Sequence, residues 1–174
     1  DEYSTPELKE RLATSYFIAA KSKQFQNDYL SALDDYNFAL TYSYSAVIFY
    51  NLGEAHLAIN NINSAIDFFY KSIECDSTFI LPYYSLIELH TNRSEFNEAA
   101  RLGKKLVLIE PTQENKLKLA AIYHNIDLSE SIKIIKSCIQ EYSNYELYLY
   151  LLDIYKYLQQ SDNALMAEEQ YLRS

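Results

Sequence analysis

The side chains in this sequence that could ligate a metal, relay a proton or attack a substrate are three histidines, two cysteines and scattered carboxylates. His56, His90 and His124 lie 34 residues apart, with no cluster of cysteines or carboxylates beside any of them. A metal centre needs about four donors converging on one point, so this spacing reads as core histidines. No metal and no cofactor is expected. Cys75 and Cys138 form neither a C-x-x-C motif nor a disulfide framework, and neither has the lysine-rich or helix-start surroundings that make a thiol reactive. The neighbouring acids Asp34-Asp35 and Glu168-Glu169 read as solvated helical turns. The sequence holds no Gly-rich phosphate loop, G-x-S-x-G, H-E-x-x-H or Cys/His pairing. A chain that is not an enzyme is the expectation.

The elements that must carry the remaining side chains are helices. Gly 2 and Pro 3 in 174 residues leave too little turn chemistry for a many-stranded sheet. At 49 % hydrophobic, the chain is long enough to bury a continuous core. Its aromatic content rests on Tyr 18 with Trp 0, and tyrosine buries a ring while its hydroxyl stays wet. A net charge of −9 opposes nucleic acid and anionic membranes, which require Lys and Arg. No apolar run approaches the roughly 18 residues that span a bilayer, so no membrane insertion is expected. The chain begins at Asp1 without a signal peptide. A leader removed before Asp1, or excision from a longer polypeptide, would each account for that, and the compartment, cytoplasmic or periplasmic, stays open.

A repeat organises the helices. Strings beginning at Ala19, Leu52, Leu86, Leu119 and Leu151 follow one another at 33, 34, 33 and 32 residues. A second series, Ala32, Ala65, Ala99, Ser131 and Ala164, keeps steps of 33, 34, 32 and 33. Apolar residues recur at helical spacing over 46–59, 62–74, 96–109 and 128–139. Polar joints at Asn60-Asn61, Asn92-Arg93-Ser94 and Gln159-Gln160-Ser161 separate consecutive helices. Thr5-Pro6-Glu7 is a helix start: a cap residue, proline in the first turn, then an acid.

Phe49, Leu52, Gly53, His56, Ala65 and Phe69 in the second copy, and Tyr83, Leu86, His90, Ala99 and Pro111 in the third, fill the pattern W-x2-L-G-x2-Y, A-x3-F and late Pro. Tyr148, Leu151, Tyr155 and Ala164 do so in the fifth. The chain therefore resembles the tetratricopeptide repeat family over about residues 12–174. The resemblance implies an all-α, right-handed solenoid of antiparallel helix hairpins, about ten to eleven helices in a single domain over 1–174. Its repeats are about 12–45, 46–79, 80–112, 113–144 and 145–174. Departures are expected to alter packing: Gly103 stands at the position of Tyr36 and Phe69, and Lys116 replaces an aromatic in the short fourth copy.

The resemblance also implies a site, because the first helix of each hairpin lines the concave wall in this family. Phe17, Tyr50, Tyr84, Leu117 and Leu149 would form one row. Lys21, Glu54, Glu88, Ala121 and Asp153 would form a second row one turn on, on the same helix face. Tyr150, Lys156 and Tyr157 would extend the wall. Asn51 matches one residue of the carboxylate clamp found in one peptide-binding subfamily. Phe17, Lys21, Leu81 and Ser85 replace the others, so that clamp is not expected. Aromatic contact area beside carboxylates suits a protein or peptide partner with basic residues. The expected role is a protein–protein interaction scaffold or adaptor. A regulatory or sensor domain of a larger signalling protein, or an exported envelope or secretion assembly factor, are the alternatives. The apolar residues Leu165, Tyr171 and Leu172 add self-association through the last helix as a further expectation.

Overall fold

The computed structural model describes residues 5–158 and 161–173, and among these it is all helical. The ten described helices are α1 (Pro6–Phe25), α2 (Tyr29–Tyr42), α3 (Ala46–Ala58), α4 (Ile62–Cys75), α5 (Leu81–Asn92), α6 (Phe96–Ile109), α7 (Gln113–Tyr123), α8 (Leu128–Tyr142), α9 (Leu147–Tyr157) and α10 (Ser161–Leu172). Helix α1 pairs with α2, α3 with α4, α7 with α8 and α9 with α10, in agreement with the all-α class of antiparallel helix hairpins that the resemblance implies. The chain divides into two compact units, Asp1–Leu89 and His90–Ser174. Gln159 and Gln160 of the last expected joint lie outside the described residues.

Local chemistry sets the boundaries. Thr5 Oγ1 accepts the Leu8 N–H at 3.2 Å, with Pro6 in the first turn and Glu7 behind it. Asp28, Asn61, Thr112 and Asp127 cap α2, α4, α7 and α8 in the same way, each satisfying an orphan N–H of the first turn. The turns that follow α1, α3 and α5 close identically. Asn27, Asn60 and Ser94 adopt left-handed φ values of 62°, 60° and 59°. The N–H of the following residue then reaches back five residues, from Asp28 to Lys23 O (2.9 Å), Asn61 to His56 O (2.8 Å) and Glu95 to His90 O (2.8 Å). Asparagine tolerates that conformation better than most residues, which is why the polar joints could be read from sequence. The turn after α7 closes differently: His124 stays right-handed and Asp127 N–H bonds Tyr123 O, four residues back, at 2.8 Å.

The small-residue series marks the buried side of the second helix of each repeat. Ala32, Ala65, Ala99 and Ser131 have no exposed surface, and Ala164 almost none. The hydroxyl of Ser131 donates to Ala120 O at 2.8 Å, so a polar residue is tolerated at that contact. Ser72 does likewise to Ala46 O at 2.7 Å. In the first unit, Tyr36, Ala39, Phe49 and Leu52 fill the space around Ala32. In the second, Ile135, Ile139, Leu151, Ile154 and Tyr155 do so around Ala164. The ring that Gly103 lacks is replaced from α7: Leu119 Cδ1 lies 3.0 Å from where a Cβ would stand. Lys116 is accommodated as a cation. It pairs with Glu141 and lies 5.1 Å above the Tyr142 ring, an aromatic contact met with charge instead of a second ring.

The repeat also marks where stacking positions meet water. Ala55, Leu89, Ile122 and Ile154 are buried, whereas Ser22, one period before Ala55, is exposed. Tyr36, Phe69 and Ile135 are fully buried, whereas Glu168, one period after Ile135, is exposed. Of the acid pairs, Asp35 departs from the solvated reading. It turns inward and pairs with Lys23 at 2.7 Å, while Asp34 stays in solvent.

The two glycines should respond differently to alanine. A Cβ on Gly53 would stand 2.5 Å from the fully buried Phe69 ring, which has no room to move. Overpacking of that kind costs about 1–3 kcal/mol, against about 1 kcal/mol regained from helix propensity. Gly53→Ala should lower the urea midpoint. Gly103→Ala meets only the tip of a leucine and should leave the stability within about 1 kcal/mol of the parent in the same titration.

Candidate partner-binding wall

In the first unit, α1, α3 and α5 carry Phe17, Lys21, Tyr50, Asn51, Glu54, Tyr84 and Glu88; hydrogen bonds join Lys21 to Asn51 and Tyr50 to Glu54, Tyr84 is half-buried and Glu88 is exposed. Lys21 Nζ donates to Asn51 Oδ1 at 3.1 Å. The Asn51 amide in turn donates to Val47 O at 2.7 Å, which fixes a buried asparagine that would otherwise be costly. Ser85 Oγ donates to Glu54 Oε1 at 3.4 Å, and the Tyr50 hydroxyl bonds the same carboxylate. The rings are rooted in the core instead of lying free on the surface. Tyr50 packs against Phe69 at 5.6 Å and edge-on against Phe79 at 5.6 Å, and Phe17 tilts onto Tyr36 at 5.9 Å. Each is half-buried, which holds the ring in one orientation before anything binds.

Glu54 is the electrostatic centre of this network. Burial pushes its carboxyl above the ordinary carboxylate range, and the Glu88 charge adds to that. The Ser85 hydrogen bond, the Lys21 charge and the Tyr50 hydroxyl oppose the rise without cancelling it. The Tyr50 phenol is also raised, first by burial and then by the charge of Glu54. Beside Phe17 opens a cleft of about 230 Å³ whose walls include Glu10, Thr14, Phe17, Ser43, Val47 and Ile48. Sequence reasoning missed this cleft and the role of Ser85. Thr14 and Val47 sit one turn from Phe17 and Asn51, and that spacing was the available signal.

In the second unit, Leu117, Leu149, Tyr150, Asp153 and Tyr157 lie on α7 and α9. Leu117 packs partly into the core, while Leu149, Tyr150, Asp153 and Tyr157 are exposed. Ala121 and Lys156 are exposed as well. The structure ties Lys21 to Asn51 and Tyr50 to Glu54 of the first set by hydrogen bonds and seats Phe17 and Tyr50 on core rings. It leaves the second as an open, mainly apolar helix face.

The histidines differ from one another. His90 is buried with Nδ1 2.5 Å from Glu95 Oε2 across the turn it helps to close. His124 caps the end of α7 in solvent. His56 stacks on Phe68 at 5.1 Å, but its buried Nδ1 meets no hydrogen-bond partner, unlike a satisfied core histidine. Burial lowers its proton affinity. Among the described residues, no three His, Cys, Asp or Glu side chains are placed to hold a metal. Both cysteines are free, and burial pushes the Cys138 thiol up, away from the reactive thiolate.

Two pH dependences follow, with opposite sign. A raised carboxyl in the folded state stabilises fully below its ordinary value of 4.5 and loses that contribution as pH rises through the folded value. Glu54→Gln should therefore raise the urea midpoint at pH 7.5, with the gain closing by about pH 4. A lowered histidine stabilises fully above its ordinary 6.5 and loses the contribution as pH falls below it. His56→Phe keeps the stack and removes the orphan nitrogen, so it should flatten the loss of stability between about pH 7 and pH 5 in the same assay.

No protein-family model matches the sequence, and no curated protein matches it either. Solved structures do. The crystal structure of MamA protein superposes with a TM-score of 0.71 at 19 % identity, over 93 % of this chain and 91 % of that one. YrrB, described as a TPR protein with an unusual peptide-binding site, gives 0.67 at 17 % identity, over 91 % and 84 %. The TPR domain of Arabidopsis OM64 gives 0.59 at 15 % identity, over 68 % and 99 %. At these identities the likeness speaks for architecture. The 32–34-residue period, the buried small residue of every repeat and these superpositions agree that the chain has the tetratricopeptide-repeat fold.

Proposed function

We propose that this protein is an interaction scaffold that holds a peptide or protein segment bearing basic side chains against the wall of α1, α3 and α5. The observation that carries the reading is Glu54, a half-buried carboxylate kept beside Tyr50 and Glu88 although burial disfavours its charge. A cation brought by a partner would make that placement favourable. Tyr50 supplies contact area already ordered by the core, so little of its side-chain freedom is lost on binding, and the half-buried Tyr84 adds a second ring on α5. YrrB, a TPR protein with an unusual peptide-binding site, supports the general mode.

A second copy docking on α10 is the weaker alternative. Leu165 and Leu172 are exposed there, but Glu168 stands between them and would be buried in such an interface. Among the described residues no helix is long and apolar enough to cross a membrane, so the wall is not part of a helical membrane span.

The test is an array of capped 12-residue peptides, basic against acidic at matched hydrophobicity, followed by fluorescence anisotropy on the best binders. Basic peptides should bind preferentially. The double variant Tyr50→Ala, Tyr84→Ala should weaken them about tenfold or more. Unchanged affinity in a folded double variant would remove the wall from the account.

A further inference from the structure

The Glu54 carboxylate is met from three sides. From α1 comes Lys21, whose ammonium is directed at Asn51 Oδ1 at 3.1 Å and not at the carboxylate. From its own helix comes the Tyr50 hydroxyl, and from α5 come Ser85, at 3.4 Å, and the charge of Glu88. From α4 comes Phe69, which packs on Tyr50 and carries no charge. The Glu88 charge thus acts on Glu54 from α5, while the Lys21 charge opposes it from α1 with its hydrogen bond given to Asn51. The hydroxyls of Ser85 and Tyr50 hold Glu54 in place in either protonation state, because a hydroxyl can donate to a carboxylate or accept from a carboxylic acid.

We propose that capture of a basic side chain at this wall is coupled to loss of a proton from Glu54, so that the wall holds its partner at neutral pH and releases it as the medium acidifies. The inference rests on the binding reading above and deepens it. As the medium acidifies, the Glu54 carboxyl of the free protein takes up a proton. When a lysine ammonium arrives, the O–H bond of Glu54 breaks, the proton passes to the buffer and a carboxylate–ammonium pair takes its place. The charge count balances: one proton leaves, one cation stays. By linkage, anything that binds the ionised form better must bind less well as protons compete for it. Burial and the Glu88 charge raise the proton affinity of Glu54, which places the competition above its ordinary value of 4.5. His56 is a second titratable group on the same helix, but it faces Phe68 and is removed as a variable by the Phe variant.

The probe is a capped octapeptide of alternating lysine and leucine, whose ammonium groups do not titrate in the range used. Its affinity is measured by calorimetry at pH 7.5 and pH 5.0 in the His56→Phe background, in two buffers of different ionisation heat. Circular dichroism checks the fold at both pH values. The expected result is a lower affinity at pH 5.0 than at pH 7.5, proton release on binding at pH 5.0, and loss of both effects in Glu54→Gln. A flat affinity, or a pH dependence that persists in Glu54→Gln, overturns the coupling while the binding reading stands, provided that Tyr50→Ala, Tyr84→Ala still weakens the probe. If the probe is not held by the parent, or the double variant holds it as well, the binding reading and the coupling fall together.

Discussion

Each unit depends on how closely its helices approach at one small residue per repeat. Ala32, Ala65, Ala99 and Ser131 are sealed completely from solvent. A larger side chain there would push the helices apart and expose the rings that pack around the contact. Gly53 takes this to its limit, since the Phe69 ring occupies the space a β-carbon would need. With the helices fixed at that distance, the side chains one turn away have little choice of direction. Tyr50 is seated on Phe69 for this reason, and its hydroxyl is carried to Glu54.

The wall is thus a by-product of the core. Phe17 and Tyr50 each turn one face toward buried rings, Tyr36 and Phe69, and keep a half-exposed edge. The polar residues between them are tied down by Lys21, Asn51 and Val47 O in sequence, one bond per link. A surface built this way is stiff, and stiffness is what lets a modest contact area discriminate between partners. It also isolates Glu54 from water enough that its charge state responds to neighbours. The open face of α9 in the second unit shares the residue types but has no such ties among the described contacts.

Departures from the repeat are met by specific side-chain contacts. Lys116, at an aromatic position, finds a ring in Tyr142 and a carboxylate in Glu141. Gly103 is filled by Leu119 reaching over from the next helix. Ser131 meets an alanine position by giving its hydroxyl to Ala120 O. The turn after α7 closes without a left-handed residue, and its turn bond is correspondingly one residue shorter. At Lys116 and Ser131 an ion pair or a hydrogen bond replaces a hydrophobic contact of similar reach, and at Gly103 a neighbouring side chain restores it.

The period alone determined the fold, because a helix pair can bury its apolar stripe only against another pair, and five copies of one spacing leave few other solutions. Helix limits were also legible wherever a cap residue or an asparagine turn carried them, as at Thr5, Asn60 and Asn61. The spacing further placed Tyr50 and Glu54 one turn apart on the same helix face. It did not contain the direction of Asp35, which turned inward to Lys23 although its neighbour Asp34 did not. Nor did it contain the unsatisfied nitrogen of His56 or the bond from Ser85 to Glu54. Those depend on distances between side chains on different helices, and only tertiary packing decides which of two adjacent residues points into the space between helices.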